Sequence, residues 1–414
     1  MIIHLIHHPV SAKRFVEPIV KSLNDHHIPA ELWVENRRGM ADFVAEIKCP
    51  KRFAEFDLSL NLFRVLTRLV QMVRAFGRSR PAAIHAHQTR AAFIPLLAAV
   101  IARVPIRIYH VHGTPYLGYG GLLRVVLWML DSLNCRFATH VITVSHSIRD
   151  CMIRDGVVRA RKCQVLGRGS SYGICLEEFS PDQFASHRRR QVREQLGISQ
   201  DAYVALYVGR PFRRKGFHTV LDTWQKMGGE KNGDVLLIAG CTNADVASAA
   251  GRVVPSIRAF GYVRDIRMYY AACDVVVLPS WHEGMPYSLL EGAAASRPLV
   301  GSAVPGIDSI IDDHNGVLVP PGDSDALTKV LAVLRLDREL RQRMGCAGRQ
   351  LVERDFDRTI CEQRILAYYN CLGIKGSAVD QGVTLTIDLP PAATADHRVA
   401  AACSDHTPRQ VYST

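Results

Sequence analysis

The chain has 414 residues, 48% of them hydrophobic, enough for two or three domains with sizeable cores. Its 11 cysteines are an odd number, scattered without a C-x-x-C pair, which leaves zinc and redox motifs unsupported and makes a reducing cytoplasm the natural home. The longest apolar stretch, 91–102, contains Pro95 and is too short to span a bilayer, and no signal peptide precedes the first apolar segment.

Charge is unevenly spread. Residues 1–185 hold 24 Lys+Arg against 14 Asp+Glu, a net +10, whereas residues 186–414 hold 27 against 25, a net +2. A basic first half points to an acidic partner such as an anionic membrane surface, a phosphorylated acceptor or nucleic acid. No basic motif interleaved with aromatic residues appears, which argues against nucleic acid.

In chain order, Ile2 to Ile6 reads as a first strand, followed by a glycine-free loop over 7–13. Residues 30–34 form a second strand candidate, followed by a polar loop with Arg37, Arg38 and Gly39. Apolar spacing predicts a helix over 62–80, with Val65, Leu66, Leu69, Val70, Val73 and Phe76 beside a stripe of Arg64, Arg68, Arg74 and Arg78. Such a helix is either a surface helix with a solvated arginine face or an interfacial helix touching anionic lipid. Strands ending in loop tips then recur at 82–87, 106–113 and 140–145, separated by helical segments at 89–103, 121–136 and 146–155. That alternation predicts a doubly wound α/β domain with its sites at strand ends. His85, His87, His110 and His112 lie near such ends; a histidine there is commonly a structural hydrogen-bond partner, and these spacings match no metal signature. Residues 167–175 close the domain, and a polar, basic segment over 181–193 leads into the next.

A buried strand over 202–208 opens the second half, with Arg210 and Lys215 on the turn into a helix at 216–227. Strands follow at 235–240 and 257–261. Asp274 to Pro279 is a continuous apolar run bounded by a charge and a proline, as in a strand buried on both faces. Trp281 to Glu291 then carries the chain through a glycine turn into a helix over 288–296, with Pro286 in or before its first turn. Strand, tight turn and helix start together make an anion site at the carboxyl edge of a sheet. Glu283 and Glu291 flank it, and acids beside an anion site repel the ligand unless they accept hydrogen bonds from hydroxyls. A sugar nucleotide supplies both groups. Helices follow at 323–335, 337–353 and 357–372, and from Lys375 onward the Ala-, Thr- and Pro-rich chain reads as a mobile tail.

Glu283-Gly284-Met285-Pro286 with Glu291 eight positions on resembles the paired-glutamate motif of the retaining family 4 glycosyltransferases, which have the GT-B fold. Val208 to Phe217, Val304 to Ile307 and Asn315 to Asp323 are similar to segments of the same family. The resemblance is specific over 203–323 and looser up to about 372. It implies two Rossmann-like domains facing across a cleft: an acceptor-side domain at 1–185 and a nucleotide-sugar domain at 186–355. A closing helix at 356–374 would return to the first domain, followed by a flexible tail at 375–414. It implies catalytic roles for His112, Arg210, Lys215 and Glu283, and donor binding by Val263, Gly284, Met285, Pro286, Tyr287 and Glu291. Two departures stand out: the family's glycine-rich loop after the first strand is missing, and Tyr172 and Cys175 replace an Asn and an Asp common in relatives.

The activity implied is transfer of a sugar from a nucleotide-diphosphate sugar, with UDP the expected nucleotide, to a saccharide or lipid-linked saccharide, with retention of anomeric configuration, in cell-surface polysaccharide or glycolipid biosynthesis. Arg210, Lys215 and the helix amides are aimed at charge developing on the departing phosphate. No Asp-x-Asp motif is evident in the cleft segments, so neither metal nor cofactor is expected. The expected location is cytoplasmic, peripheral on the inner membrane face. Two rivals are a GT-B-fold nucleotide-sugar epimerase and a non-catalytic nucleotide-sugar-binding partner of another transferase.

Overall fold

A computed structural model describes residues 1–35, 40–56, 58–59 and 61–375; Arg37, Arg38, Gly39 and the chain beyond Lys375 lie outside the described residues. Two parallel sheets organise it. The first contains β1 (Ile2–Ile6), β2 (Ala30–Val34), β3 (Lys51–Phe53), β4 (Ala83–His87), β5 (Ile106–Val111), β6 (His140–Thr143) and β7 (Cys163–Val165), in the order β3-β2-β1-β4-β5-β6-β7. The second contains β8 (Val204–Val208), β9 (Val235–Ala239), β10 (Ile257–Ala259), β11 (Val275–Leu278), β12 (Leu299–Ser302) and β13 (Gly316–Val319), in the order β10-β9-β8-β11-β12-β13. β1, β4, β9 and β11 are buried at every position, as strands covered by helices on both faces must be.

The order of each sheet reverses at one place, between β1 and β4 in the first and between β8 and β11 in the second. Ligands of open α/β sheets bind outside the strand carboxyl ends at that reversal, because the loops there diverge and leave a crevice. The segments at 209–216 and 279–286 follow β8 and β11, so the topology alone delivers them to one crevice.

Three local readings change. The expected loop at 7–13 is helical: Pro9–Ser11 runs through a π turn, Ala12–Val16, into the helix Glu17–Asp25. Pro9 at the helix start explains this, since its missing N–H costs nothing there. β3 was not predicted, because three residues beginning Lys-Arg carry no strand signal. The helix Leu62–Ser79 starts on an Asn61 cap, whose side-chain oxygen accepts the Arg64 N–H at 3.2 Å, and ends on Arg80 in the left-handed region at φ 42°. Only Met72 and Phe76 of this helix are fully buried, while Leu66 and Val70 of the expected apolar stripe are exposed. Its amino-terminal half therefore stands off the core.

The segment after the first sheet also fastens the second. Arg193, wholly buried in the helix Ser186–Gln195, donates to Asp274 at 2.8 Å and to the Ala202 carbonyl at 2.9 Å. Asp274 also takes Arg189 at 2.6 Å and the Val204 N–H at 2.8 Å, so one carboxylate joins the helix to the starts of β8 and β11. At the far end, the helix Arg358–Cys371 crosses to the first sheet and buries Ile365, Tyr368 and Tyr369 with Ile2, Ile108 and Ile142.

Candidate active site

The loop after β8 is tied down by one hydroxyl. Tyr207 donates to the carbonyls of Arg210 and Lys215 at 3.2 and 3.1 Å, which fixes both ends of the turn. Gly216 has φ 72°, and a Cβ there would lie 2.0 Å from the Pro279 carbonyl oxygen, so the two loops approach backbone to backbone. Lys215 Nζ bonds both Glu283 carboxylate oxygens at 2.6 and 2.8 Å, and the Ser280 hydroxyl donates to the same carboxylate at 2.7 Å. Arg210 is exposed, its guanidinium 4.9 Å from the Phe212 ring centre.

The helix Tyr287–Ala294 begins at Pro286 and points its first turn at the crevice. Glu291, one turn in, is 7% exposed and accepts the Tyr270 hydroxyl at 3.0 Å. Its other oxygen is paired with Arg14, which reaches across from the first domain. Tyr287 faces the first domain as well: its hydroxyl accepts the Tyr172 N–H at 2.9 Å, and its ring lies 4.6 Å from that of Phe15. A cavity of about 990 Å³ lies between the domains, walled by Arg210, Lys215, Val263, Tyr287 and Glu291 on one side and by Lys13, Arg14 and Arg358 on the other. That volume and that mixture of cations with a buried carboxylate match a large polar ligand carrying phosphate and hydroxyls.

The remaining expected residues sit beyond this cavity. Glu283 is engaged by Lys215, Met285 is buried, and Gly284 is pressed against the first domain. A Cβ on Gly284 would lie 1.8 Å from the His112 carbonyl oxygen, and one on Gly306, at φ 92°, would lie 2.0 Å from the Gly284 oxygen. Glycine is therefore required at 284 for the domains to meet, and at 306 for the second domain's own loops to pack behind it. Glu291 and His112 are both within reach of the cleft, but only Glu291 lines the cavity.

His112 belongs to a chain of buried imidazoles on one face of the first sheet. Its Nδ1 lies 2.9 Å from the Ser171 hydroxyl and its Nε2 lies 2.9 Å from His87 Nδ1. His87 Nε2 meets His4 Nδ1 at 3.2 Å, and His4 Nε2 meets the Tyr369 hydroxyl at 3.2 Å. Tyr369 meets His85 Nδ1 at 2.6 Å, and His85 Nε2 meets His110 Nδ1 at 3.2 Å. His110 Nε2 ends the chain with no protein partner. A neutral imidazole has one N–H and one lone pair, so every bond in such a chain points the same way. Stranding a lone pair at His110 costs less than stranding an N–H, which directs every donor toward Ser171. His112 then donates through Nδ1 and accepts through Nε2. Burial holds these rings neutral: the pKa of His4 falls to about 3 and that of His112 to about 4, while His85, His87 and His110 lie well below the ordinary value through burial and then mutual repulsion.

Sequence spacing gave no metal signature, yet the fold gathers His4, His85 and His87, and His87, His110 and His112, with ring nitrogens within 4.8 Å of one another in each group. Most of those nitrogens are engaged in the hydrogen-bonded chain. Two Asp-x-Asp triplets, at 323–325 and 355–357, lie outside the cavity, engaged in helix caps and ion pairs. Asp323 caps the helix Ser324–Leu336, accepting the Ala326 N–H at 2.8 Å, and Asp325 pairs with Lys226 at 2.9 Å. Asp357 accepts the Thr359 N–H at 2.6 Å, and Asp355 lies among Arg168, Arg354 and Arg364.

Sequence reasoning missed Arg14, Tyr270, Ser280 and Tyr207. Arg14 had no signal, because the segment containing it departs from the expected glycine-rich loop. Tyr270 reads as an apolar helix residue, and its hydroxyl finds Glu291 only through the fold.

Residues 28–169 match the model of a family described as a glycosyl transferase 4-like domain, and residues 202–337 match that of the glycosyl transferases group 1. The chain is 27% identical over 317 residues to the capsular polysaccharide biosynthesis glycosyltransferase CapM of Staphylococcus aureus, covering 75% of this chain and 82% of that protein. It is 26% identical over 380 residues to the N,N'-diacetylbacillosaminyl-diphospho-undecaprenol alpha-1,3-N-acetylgalactosaminyltransferase of Campylobacter jejuni, covering 88% of this chain and 97% of that one. Anabaena Alr3699/HepE, solved in complex with UDP-glucose, superposes with a TM-score of 0.74 at 18% identity, over 89% of this chain and 99% of its own. This last likeness shows the GT-B fold.

Proposed function

This chain belongs to the group 1 glycosyltransferases with a 4-like first domain, and we propose that it moves a sugar from a UDP-sugar to a saccharide or lipid-linked saccharide with retention of configuration. The product would be a cell-surface polysaccharide or glycolipid. The observation that carries this reading is the cleft cavity, in which Arg210, Lys215 and a helix start carrying the buried Glu291 share one wall. The names of the capsular and undecaprenol-linked relatives support the pathway and the lipid-linked acceptor.

The nucleotide lies with its base against Val263 and its ribose hydroxyls on Glu291, where they displace Arg14. The diphosphate meets Arg210, Lys215 and the amides of Gly284 to Tyr287. As the anomeric bond breaks, negative charge grows on the leaving phosphate, and cations placed in advance stabilise it without reorganisation. Glu283 holds Lys215 in position and presents its carboxylate to donor-sugar hydroxyls. His112, with its tautomer fixed by Ser171 and His87, lines the sugar end once the domains part at Gly284. The acceptor attacks from the leaving-group side, and no metal is required. The enzyme works at the inner membrane face, held to anionic lipid through Arg64, Arg68, Arg74 and Arg78. A thermal-shift screen against nucleotide sugars tests the donor, because a ligand that binds only the folded state raises its melting temperature. Stabilisation by UDP-sugars with acceptor-dependent UDP release is the expected result; no response to any nucleotide sugar would refute the reading.

A further inference from the structure

The second domain carries a charged recess on the side away from the cleft. A cavity of about 370 Å³ opens at the amino ends of β8, β11 and β12, walled by residues just before those strands and by the helices Ser186–Gln195 and Arg338–Leu351. The cleft lies at the carboxyl ends of the same strands. Five residues of β8, at about 3.3 Å each, set the two sites about 16 Å apart.

Arg189, Arg297, Arg335, Arg338 and Arg341 line the recess with two acids, Asp201 and Asp274. The acids do not balance the arginines. Asp274 is shared by Arg189 at 2.6 Å, Arg341 at 3.8 Å and the wholly buried Arg193 at 2.8 Å. Asp201 is exposed, where water screens it. Arg335 is paired with Asp234 at 2.6 Å, and Asp337 is occupied in capping its helix, accepting the Leu340 N–H at 2.7 Å. The guanidinium of Arg338 makes no hydrogen bond or ion pair among the described residues. Cations gathered in one recess repel each other unless an anion joins them. The rest of the wall is polar: Ser186, Gln200, Ser296 and Gln342 line it, and the Tyr203 hydroxyl, on a residue 4% exposed, has no hydrogen-bond partner among the described residues. Both aromatic rings of the wall are already stacked. Arg341 lies over the Tyr203 ring at 5.6 Å, and the Phe184 ring stacks on Phe179 at 5.8 Å. A sugar, which needs hydrogen bonds, suits such a wall better than a nucleobase, which needs a ring face.

We propose that this recess is a second ligand site, apart from the cleft, that binds a small sugar phosphate, with the phosphate among the arginines about Arg338 and the sugar hydroxyls on the serine and glutamine side chains. A phosphate monoester brings the missing negative charge and accepts several guanidinium hydrogen bonds at once. The volume suits a ligand of that size.

The test is calorimetric titration of the full chain with glucose 6-phosphate and glucose 1-phosphate, each in the presence of UDP to fill the cleft. At least one of them should bind more tightly than inorganic phosphate, glucose or AMP. Arg338→Gln should weaken that binding by about tenfold or more, because a charge-assisted hydrogen bond is lost, with an unchanged melting temperature because the side chain is exposed and unpaired. Gln342→Glu, one turn further along the exposed face, places a negative charge in the recess, should weaken binding likewise, and serves alone if Arg338→Gln fails to fold. Arg210→Gln, in the cleft, should leave the affinity unchanged. Absence of binding by both sugar phosphates, an affinity unaltered in the folded recess variants, weakening by Arg210→Gln, or binding of inorganic phosphate or AMP as tight as that of the sugar phosphates would each overturn the proposal. UDP titrated alone on the same samples reads the donor site, so that loss of the donor reading registers separately from loss of this one.

Discussion

Acid should unfold the first domain far more steeply than a surface-charge argument allows. His4, His85, His87, His110 and His112 stay neutral in the fold down to pH values well below their unfolded pKa near 6.5. Between those limits the unfolded chain binds protons that the native state refuses, so stability falls as pH falls. From pH 7.5 to 5.5 each such histidine costs about 1.4 kcal/mol, and five cost about 7 kcal/mol. Asp131 works in the opposite sense. Burial raises its pKa to about 7 despite the hydrogen bond from Tyr109 at 2.6 Å, so its contribution is lost as pH rises toward 7 and returns about 2 kcal/mol on acidification. The net loss is about 5 kcal/mol, comparable to the whole stability of a domain. Denaturant titrations at the two pH values, followed by tryptophan fluorescence, read it directly. Replacing His85 and His87 by Gln should remove about 3 kcal/mol of that dependence while lowering stability at pH 7.5. Stability of the first domain that is equal at the two pH values, or a dependence unaffected by the double replacement, would show that the imidazoles are not held neutral by the fold.

Lys215→Ala should lower the transfer rate by about 100- to 1000-fold, because it removes one prepositioned cation from the leaving group, and should lower the melting temperature as well, because it leaves the buried Glu283 carboxylate with the Ser280 hydroxyl alone; full turnover in steady-state kinetics would refute the assignment. Transfer should persist in excess EDTA, and loss of activity restored by magnesium or manganese would show that the cations of this cleft do not suffice. Gly284→Ala places a methyl group against the His112 carbonyl. Displacing the domains by about 1 Å should cost on the order of 100-fold in turnover, whereas UDP binding, measured calorimetrically, should weaken far less, because Arg210 and Glu291 line the cavity and the Gly284 amide is one phosphate contact among several.

What the sequence revealed follows from which interactions are local. Val275–Leu278 and Val235–Ala239 are buried strands whose apolar runs carry their own signal, and the alternation with helices determined the class of both sheets. Arg210, Lys215, Glu283 and Glu291 were legible because each sits within a few residues of a strand end or helix start. Arg14 was not, since its pairing with Glu291 spans 277 residues and depends on how the two domains face each other. The histidines show the same limit at shorter range. His85 and His87 share a sheet face by the period of two, and β5 places His110 opposite His87. His4 joins them because the sheet order puts β1 next to β4, a neighbour 83 residues away in the chain. Alternation in any one strand gives the face, and only the pairing gives the chain of bonds.

The cleft shows how two demands on Glu291 are reconciled. A carboxylate buried beside a phosphate site is unfavourable unless something neutralises it or donates to it. In this structure Arg14 from the first domain and the Tyr270 hydroxyl satisfy it. A ribose can replace Arg14 but brings no positive charge, so the carboxylate remains compensated only if the displaced guanidinium stays nearby. Arg14 lies over Tyr287 at 5.3 Å and its side chain is about half exposed, which leaves it room to swing toward the diphosphate of the same nucleotide. On the proposed reading, the arginine that joins the two domains through Glu291 turns to the diphosphate of the donor whose ribose takes its place.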